Sequence, residues 1–152
     1  MTVCRMNQAR SPFAQAVIVK HFPEILVTSA GVSAVVGSSY LPEVVVVARR
    51  WGVDLANGFS RALGGQDALL DCDLVICAEE SMLRAFELIG FTGAAISYEQ
   101  IVSDPSFMPR DPAGLRGRHL ESELAKVALI IGGSGRPARR RSQVVSCAAK
   151  AD

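Results

Sequence analysis

Apolar runs and amphipathic stretches alternate along this chain, and the alternation predicts strands and helices in turn. Three short runs rich in β-branched and other apolar residues have the length of strands, and they lie at 25–28, 73–78 and 94–97. Four stretches carry helix signals, and they lie at 13–21, 42–51, 79–89 and 118–131. Because strand and helix alternate, we expect an α/β domain in which helices flank a parallel sheet.

Proline, glycine, serine and acidic residues predict where the helices begin and end. Pro42 begins the second helix and Gly52 follows its end. Ser11 and Pro12 precede the first helix, with the Ser11 hydroxyl as a cap and Pro12 at the first helical position. The acidic pair Glu79–Glu80 is interpreted as favourable charge at the start of the third helix rather than as a catalytic pair.

Length, composition and charge narrow the class of protein. The 152 residues suffice for one domain with a hydrophobic core, and 49% of them are hydrophobic. The net charge of +1 argues against nucleic acid as a partner. No apolar run reaches the ~18 residues of a membrane span, and no N-terminal signal-peptide pattern is present. We therefore expect a cytoplasmic protein without a membrane partner, whose oligomeric state the sequence leaves open.

The cysteines and histidines carry no metal signature. Cys4, Cys72, Cys77 and Cys147 are spaced like neither a disulfide framework nor a zinc site, and the two histidines lie in unrelated contexts. We expect no metal site and no cofactor.

The composition changes at residue 132. The segment 132–152 is rich in glycine, serine and arginine, has no periodicity, and carries five basic side chains, namely Arg136, Arg139, Arg140, Arg141 and Lys150. We expect a domain at 1–131 and a basic, disordered tail at 132–152. A solvated tail is favoured over a segment that binds an acidic partner.

A cysteine and an arginine flank five residues near the start of the chain, in Cys4-Arg5-Met6-Asn7-Gln8-Ala9-Arg10. Consecutive backbone amides in such a loop can form a nest around an oxyanion, and the following helix adds its positive dipole end. Arg10 supplies a planar fork that matches two phosphate oxygens. In that field Cys4 is expected to be a thiolate at neutral pH, and therefore a nucleophile toward a bound phosphoryl group.

With Ser11 and Pro12 attached, this stretch resembles the signature of the low-molecular-weight protein tyrosine phosphatases, which reads C-x-G-N-x-C-R-S-P. The matching positions are Cys4, Asn7, Arg10, Ser11 and Pro12. The resemblance implies a flavodoxin-like, three-layer sandwich of the phosphotyrosine phosphatase I type, with a four-stranded parallel sheet. It also implies Cys4 and Arg10 as catalytic residues. The positions implied to bind phosphate or support the loop are Arg5, Met6, Asn7, Gln8, Ala9, Ser11 and Ser29.

Three departures from the family pattern carry consequences. Met6 stands where the family has glycine, and Ala9 where it has a second cysteine. Since glycine permits a positive φ that methionine resists, Met6 supports an alternative reading as a phosphate-binding module that has lost catalysis. Only three residues precede Cys4, fewer than a typical strand of about five or six, so we expect the first strand to be truncated. Ser29 either supports the phosphate loop or shapes a turn.

The family places its general acid in an Asp-Pro loop before the last helix, and residues 104–114 contain two Asp-Pro pairs. Asp111 is favoured because Asp111-Pro112-Ala113-Gly114 matches the D-P-x-G pattern of the family and lies nearer to that helix. Asp104 is the second choice. Either aspartate could instead only cap a turn ahead of its proline.

The resemblance implies hydrolysis of a phosphomonoester through a cysteinyl-phosphate intermediate, by a cysteine-dependent phosphatase of the protein-tyrosine-phosphatase type. The expected partner is a phosphorylated protein or a small phosphomonoester. Arsenate reductases share the fold and the C-x5-R loop, but they need further redox cysteines, for which Cys72 and Cys77 are candidates. The degenerate phosphate-binding module is the other alternative.

Overall fold

Four short parallel strands form the centre of the fold, in the order β2-β1-β3-β4. The strands are β1 (Thr2–Cys4), β2 (Ser29–Gly31), β3 (Leu74–Cys77) and β4 (Ala94–Ser97). The structure is a computed structural model that describes residues 1–64 and 72–132. The predicted four-stranded parallel sheet flanked by helices is confirmed.

The helices follow the strands in chain order. They are α1 (Arg10–His21), α2 (Pro42–Arg50), α3 (Leu83–Leu88), α4 (Tyr98–Ile101) and α5 (Gly117–Ile130), with 3₁₀ turns at Glu80–Met82 and Pro105–Phe107. Side chains of α1, α2 and α5 form one core cluster with Cys4 and Ile76, whereas α3 packs in a second cluster with Val3, Val75 and Cys77. Because neighbouring residues of a strand face opposite ways, these clusters cover the two faces of the sheet. No helix in the described part of the chain is long and apolar enough to cross a membrane.

The first strand is short, and it pairs with a neighbour on each side. Thr2 lies opposite Ser29 in β2 and Ile76 in β3. The ladder begins at the first residue, since the Met1 carbonyl accepts a hydrogen bond from the Ile76 amide at 2.9 Å and the Met1 ammonium donates to the Leu74 carbonyl at 2.7 Å. A strand of three residues thus lies at the centre of the sheet.

The second strand lies later in the chain than predicted. The expected run at 25–28 is outside the sheet, with Leu26 98% exposed, and β2 is instead Ser29–Gly31, buried throughout. Strand propensity did not decide which residues form the second strand, because pairing with β1 places Ser29, Ala30 and Gly31 opposite Thr2, Val3 and Cys4. The register pairs Cys4 with Gly31, at the carboxyl edge where the Cys4 loop begins.

Two predicted helix starts are wrong. The first helix begins at Arg10 rather than Phe13, so Ser11 and Pro12 lie within its first turn and Ser11 is not its cap. The third is split, with a 3₁₀ turn before α3, and Glu79 precedes both. The short helix α4 was not predicted, and a capping box between Ser97 and Gln100 begins it. Beyond Gly132, the predicted tail lies outside the residues that the structure describes.

Candidate active site

The carboxyl ends of the strands form one edge of the sheet, and the loop of residues 5–9 leaves β1 there. The chain passes from β1 to β2 on one side and returns to β3 on the other, so this edge contains the switch point of the topology. In open α/β sheets, ligands bind in the crevice at such a point.

The backbone of the loop is held by its carbonyl groups. The carbonyl oxygens of Cys4, Arg5 and Gln8 accept hydrogen bonds from the amides of Val32, Ser33 and Leu41, at 3.1, 2.9 and 3.1 Å respectively. By contrast, the amides of residues 5–9 have no acceptor within the described segments. Backbone donors need a partner, so this run of free N–H groups can bind an anion at the start of α1.

Asn7 has the unusual backbone conformation in this loop. Its φ is +53°, and it is the sole non-glycine residue with a positive φ in residues 1–64 and 72–132. Asparagine tolerates that region better than most residues. The expectation that Met6 would have to adopt a positive φ is therefore wrong, because Asn7 adopts it instead. The alternative of a degenerate phosphate-binding module loses that support.

The side chain of Asn7 ties the loop to three other segments. It is fully buried, and its amide nitrogen donates to the hydroxyl oxygens of Ser11 and Ser29, each at 2.9 Å. Its carbonyl oxygen accepts from the Arg61 amide at 2.8 Å. Ser29 thus lies in β2 with its hydroxyl against the loop, as a supporting residue would.

Gly31 lets β2 approach the loop closely. A Cβ atom at this position would lie 2.7 Å from the Arg5 carbonyl oxygen and 2.8 Å from the Asn7 nitrogen, both of them backbone atoms. Since these distances are far below van der Waals contact and backbone cannot yield as a flexible side chain can, only glycine fits here.

Cys4 ends β1 and faces the base of the loop. Its Sγ lies 3.0 Å from Ser11 Oγ, and both residues are buried. Ser11 Oγ accepts a hydrogen bond from Asn7, and its own proton has two acceptors within reach, the sulfur at 3.0 Å and the Ala30 carbonyl oxygen at 3.3 Å. When it points at the nearer sulfur, the hydroxyl donor stabilises a thiolate.

Arg10, the first residue of α1, meets two carboxylates. It is 3% exposed, and its Nη2 lies 2.8 Å from Glu79 Oε1 and 3.6 Å from Asp111 Oδ2. Glu79 follows β3, whereas Asp111 lies in the loop before α5. The shorter contact fixes the guanidinium, and the longer one brings Asp111 to the site.

The two candidate acids make the same turn but lie in different places. Asp104 Oδ1 accepts from the Ser106 amide at 2.9 Å, and Asp111 Oδ1 accepts from the Ala113 amide at 3.1 Å. Turn formation therefore does not distinguish them. What distinguishes them is location: Asp111 contacts Arg10 and lines the cavity described below, whereas Asp104 is fully exposed and its pKa is lowered by the hydrogen bonds from Ser106.

These residues surround one small cavity of about 160 Å³. The loop that precedes α5 and carries Asp111, residues 108–116, is called the acid loop below. The cavity is lined by Cys4, the loop that follows it, Leu41 and the acid loop, namely Cys4, Arg5, Met6, Gln8, Ala9, Arg10, Leu41, Asp111, Pro112, Ala113 and Gly114. The volume lies below the roughly 300–1,000 Å³ of sites for drug-sized ligands and suits a phosphate-sized group. A larger groove, of about 510 Å³, runs between α1 and residues 53–58 and contains none of the candidate site residues.

The cysteines proposed as redox partners do not face this cavity. Cys77 is buried in the core cluster on the opposite face of the sheet, and Cys72 packs against that same cluster. Cys147 lies outside the described residues. The arsenate reductase alternative therefore gains no redox pair from Cys72 and Cys77.

Sequence reasoning missed Glu79 and Arg61. Glu79 was interpreted as a helix charge, but it lies before the turn and binds Arg10. Its position directly after a buried parallel strand could have identified it, because such residues share an edge with the end of β1. The Arg61 amide donates to the Asn7 side chain from 54 positions further along the chain, and no local pattern predicts that contact.

Comparison with known proteins agrees with this geometry. The profile of the family described as low molecular weight phosphotyrosine protein phosphatase matches residues 1–96. A low molecular weight protein-tyrosine-phosphatase, Ptp, of Acinetobacter johnsonii is 25% identical over 87 residues, which cover 57% of this chain and 61% of that protein. The match thus spans less than two thirds of the length of that curated relative.

Two solved structures show the same fold. The tyrosine phosphatase AmsI of Erwinia amylovora superimposes with a TM-score of 0.75 and 24% identity, covering 87% of each chain. The tyrosine phosphatase Wzb of Escherichia coli K30, in complex with sulphate, gives a TM-score of 0.77 and 20% identity, covering 86% of this chain and 91% of its own. Since the family profile covers more than half of the chain and includes the Cys4–Arg10 loop, the protein belongs to the low-molecular-weight phosphotyrosine protein phosphatase family.

Proposed function

We propose that this chain hydrolyses phosphomonoesters through a cysteinyl-phosphate intermediate, with phosphotyrosine on a protein as the substrate class. The observation that carries the proposal is the convergence of Cys4, Arg10 and Asp111 on one small cavity that begins at a run of free backbone amides. The substrate class follows that of the Acinetobacter relative, which is named a protein-tyrosine-phosphatase. We further propose a cytoplasmic location and a catalytic unit comprising residues 1–131.

In the first step, the Cys4 thiolate attacks phosphorus. The S–P bond forms as the P–O bond to the leaving group breaks, and Asp111 gives its proton to the departing oxygen. The amides of residues 5–9 and the Arg10 guanidinium hold the three equatorial oxygens, whose charge grows in the transition state. Glu79 keeps the Arg10 guanidinium in one orientation, and the other N–H groups of that guanidinium bind the phosphoryl group.

In the second step, water attacks the phosphocysteine. Asp111, now ionised, takes a proton from the water, the O–P bond forms, and the S–P bond breaks to release inorganic phosphate and the thiolate. The Ser11 hydroxyl stabilises that thiolate as the leaving group.

Hydrolysis of 4-nitrophenyl phosphate by the purified chain tests the proposal. We expect turnover that vanadate inhibits, and its complete loss in Cys4→Ser, which should still bind inorganic phosphate in calorimetry. Hydrolysis that survives in Cys4→Ser would exclude the cysteine mechanism. A wild-type chain that binds inorganic phosphate but does not hydrolyse 4-nitrophenyl phosphate would favour the binding module. A wild-type chain that reduces arsenate with a thiol donor would favour the reductase.

Asp111→Asn tests the general acid. General acid catalysis contributes about 10²–10⁴-fold, so kcat/KM for phenyl phosphate should fall by that order. The loss should be much smaller for 4-nitrophenyl phosphate, whose leaving group needs little protonation. Asp104→Asn is the matched control and should leave both values unchanged. The reverse pattern would assign the acid to Asp104.

A further inference from the structure

The loop that carries Asp111 is fastened to α5 through its backbone. The Arg110 amide donates to Glu123 Oε2 at 2.7 Å. Lys126, one turn further along α5, donates from Nζ to the Met108 carbonyl at 3.4 Å and pairs with Glu123 Oε1 at 3.2 Å. Both oxygens of the Glu123 carboxylate are therefore engaged, one by the loop and one by Lys126.

This anchor is shielded from solvent. The side chains of Glu123 and Lys126 are 13% and 23% exposed, whereas the α2–α5 ion pair of Arg50 and Glu121 is 60% and 37% exposed. Burial by itself would raise the pKa of Glu123, but the Arg110 amide and the Lys126 ammonium outweigh it and hold the pKa below its ordinary value. The carboxylate is consequently charged at neutral pH, which makes its bond to the Arg110 amide a strong one.

The anchor lies one peptide away from the proposed acid. Arg110 directly precedes Asp111, and the prolines on either side of this pair, Pro109 and Pro112, are buried. With the Arg110 amide held and two neighbouring prolines limiting φ, the backbone of Asp111 has few ways to move relative to Arg10.

We propose that Glu123 is a positioning residue for Asp111: through the Arg110 amide, and with Lys126, it fixes the acid loop over the Cys4 cavity. This inference rests on the proposed role of Asp111 as general acid. It makes the first three turns of α5 a part of the apparatus for proton transfer, although no side chain of α5 lines the cavity. Asp104 lies upstream of both anchor points, which leaves it outside this arrangement.

Glu123→Ala and Glu123→Gln test the proposal, with Glu121→Gln as the matched control on the same helix. Loss of a hydrogen bond to a charged group corresponds to about tenfold, so Glu123→Ala should lower kcat/KM for phenyl phosphate about tenfold. The value for 4-nitrophenyl phosphate should stay within about twofold, because that leaving group needs little protonation. Glu123→Gln, which keeps an acceptor but loses the charge, should lie between Glu123→Ala and the wild type, and Glu121→Gln should match the wild type.

A double variant separates this inference from the proposed function. In Asp111→Asn, adding Glu123→Ala should cause no further loss for phenyl phosphate, since no acid remains to be positioned. Equal losses for both substrates in Glu123→Gln, or an additive double variant, would overturn the positioning role and indicate a merely structural one. If Asp111→Asn itself shows no dependence on the leaving group, the role of Asp111 fails, and the inference fails with it.

Discussion

Cys4 and Cys77 end adjacent strands and are almost equally buried, yet their surroundings differ. Cys77 pairs in register with Val3, the residue before Cys4, so the two cysteines lie one step apart along the same edge. Cys4 is 3% exposed and Cys77 0%. Burial alone would therefore assign both cysteines to the core.

The two thiols lie on opposite faces of the sheet and meet different groups. Cys4 has the Ser11 hydroxyl at 3.0 Å and lines the cavity. Cys77 packs among apolar side chains, and burial, followed by the negative charge of Glu99, raises its pKa to about 12. The comparison teaches that the proposed nucleophile differs from a core cysteine in its polar partner and in the cavity that it lines, and not in its exposed fraction.

The largest effect that we expect in this comparison is in alkylation. Near neutral pH, iodoacetate should modify Cys4 at least about a hundredfold faster than Cys77, because the thiolate is the reactive form and a pKa near 12 leaves almost none at Cys77. Arg10 and the free amides should also attract the anionic reagent to the Cys4 cavity. Mass spectrometry of the separate peptides measures the two rates, and vanadate should protect Cys4 alone. Comparable rates would remove the distinction between the two cysteines.

Ser11→Ala should make Cys4 less reactive and so more like Cys77, with an effect smaller than the difference in alkylation rate between the two cysteines. It removes the hydroxyl beside Sγ, and one hydrogen bond to a charged group corresponds to about tenfold in rate. The alkylation rate of Cys4 and kcat for 4-nitrophenyl phosphate should each fall by about that factor.

Ser29→Ala is the matched control for the Ser11 variant. Both serine hydroxyls accept from the Asn7 side chain at 2.9 Å, but only that of Ser11 contacts the thiol. Ser29→Ala should therefore change the alkylation rate of Cys4 little. Equal effects of the two variants would mean that the hydroxyls act only by holding Asn7.

The parts of the fold that the sequence predicted well depend on contiguous residues. Cys4 to Pro12 form one uninterrupted motif, and the loop of residues 5–9 between β1 and α1 brings its members together. The ends of α2 were predicted within one residue, because Pro42 and Gly52 act locally through fixed and positive φ.

The parts that the sequence did not predict depend on distant partners. The apolar run at 25–28 has more strand propensity than Ser29–Gly31, but pairing with β1 selects the latter. Glu79 binds Arg10 only because β3 lies beside β1. The positive φ belongs to Asn7 rather than Met6, and the contacts of its side chain with Ser29 and Arg61 come from segments far along the chain.

The smallest expected effect concerns Cys77 and alkaline pH. Its pKa rises from 9.0 to about 12 on folding, so the unfolded chain loses this proton first as the pH rises. Between these values the unfolded state binds fewer protons than the folded state, and the free energy of unfolding must fall with rising pH. At pH 10 the free energy of unfolding has fallen by about 1 kcal/mol through this group. Below pH 9 the contribution to stability is fully present.

Urea unfolding of the wild type and of Cys77→Ala at pH 8, 9 and 10 measures this contribution. The Ala variant loses some packing at every pH, so the informative quantity is the slope of stability against pH rather than its value. Tyr98 is present in both proteins, and because burial is the first cause of its raised pKa and the Cys77 charge only the last, most of its contribution is common to the two slopes. The wild type should lose about 1 kcal/mol more than Cys77→Ala between pH 8 and 10. Parallel slopes would show that Cys77 ionises as readily in the folded state as in the unfolded one, and the contrast with Cys4 would then rest on geometry alone.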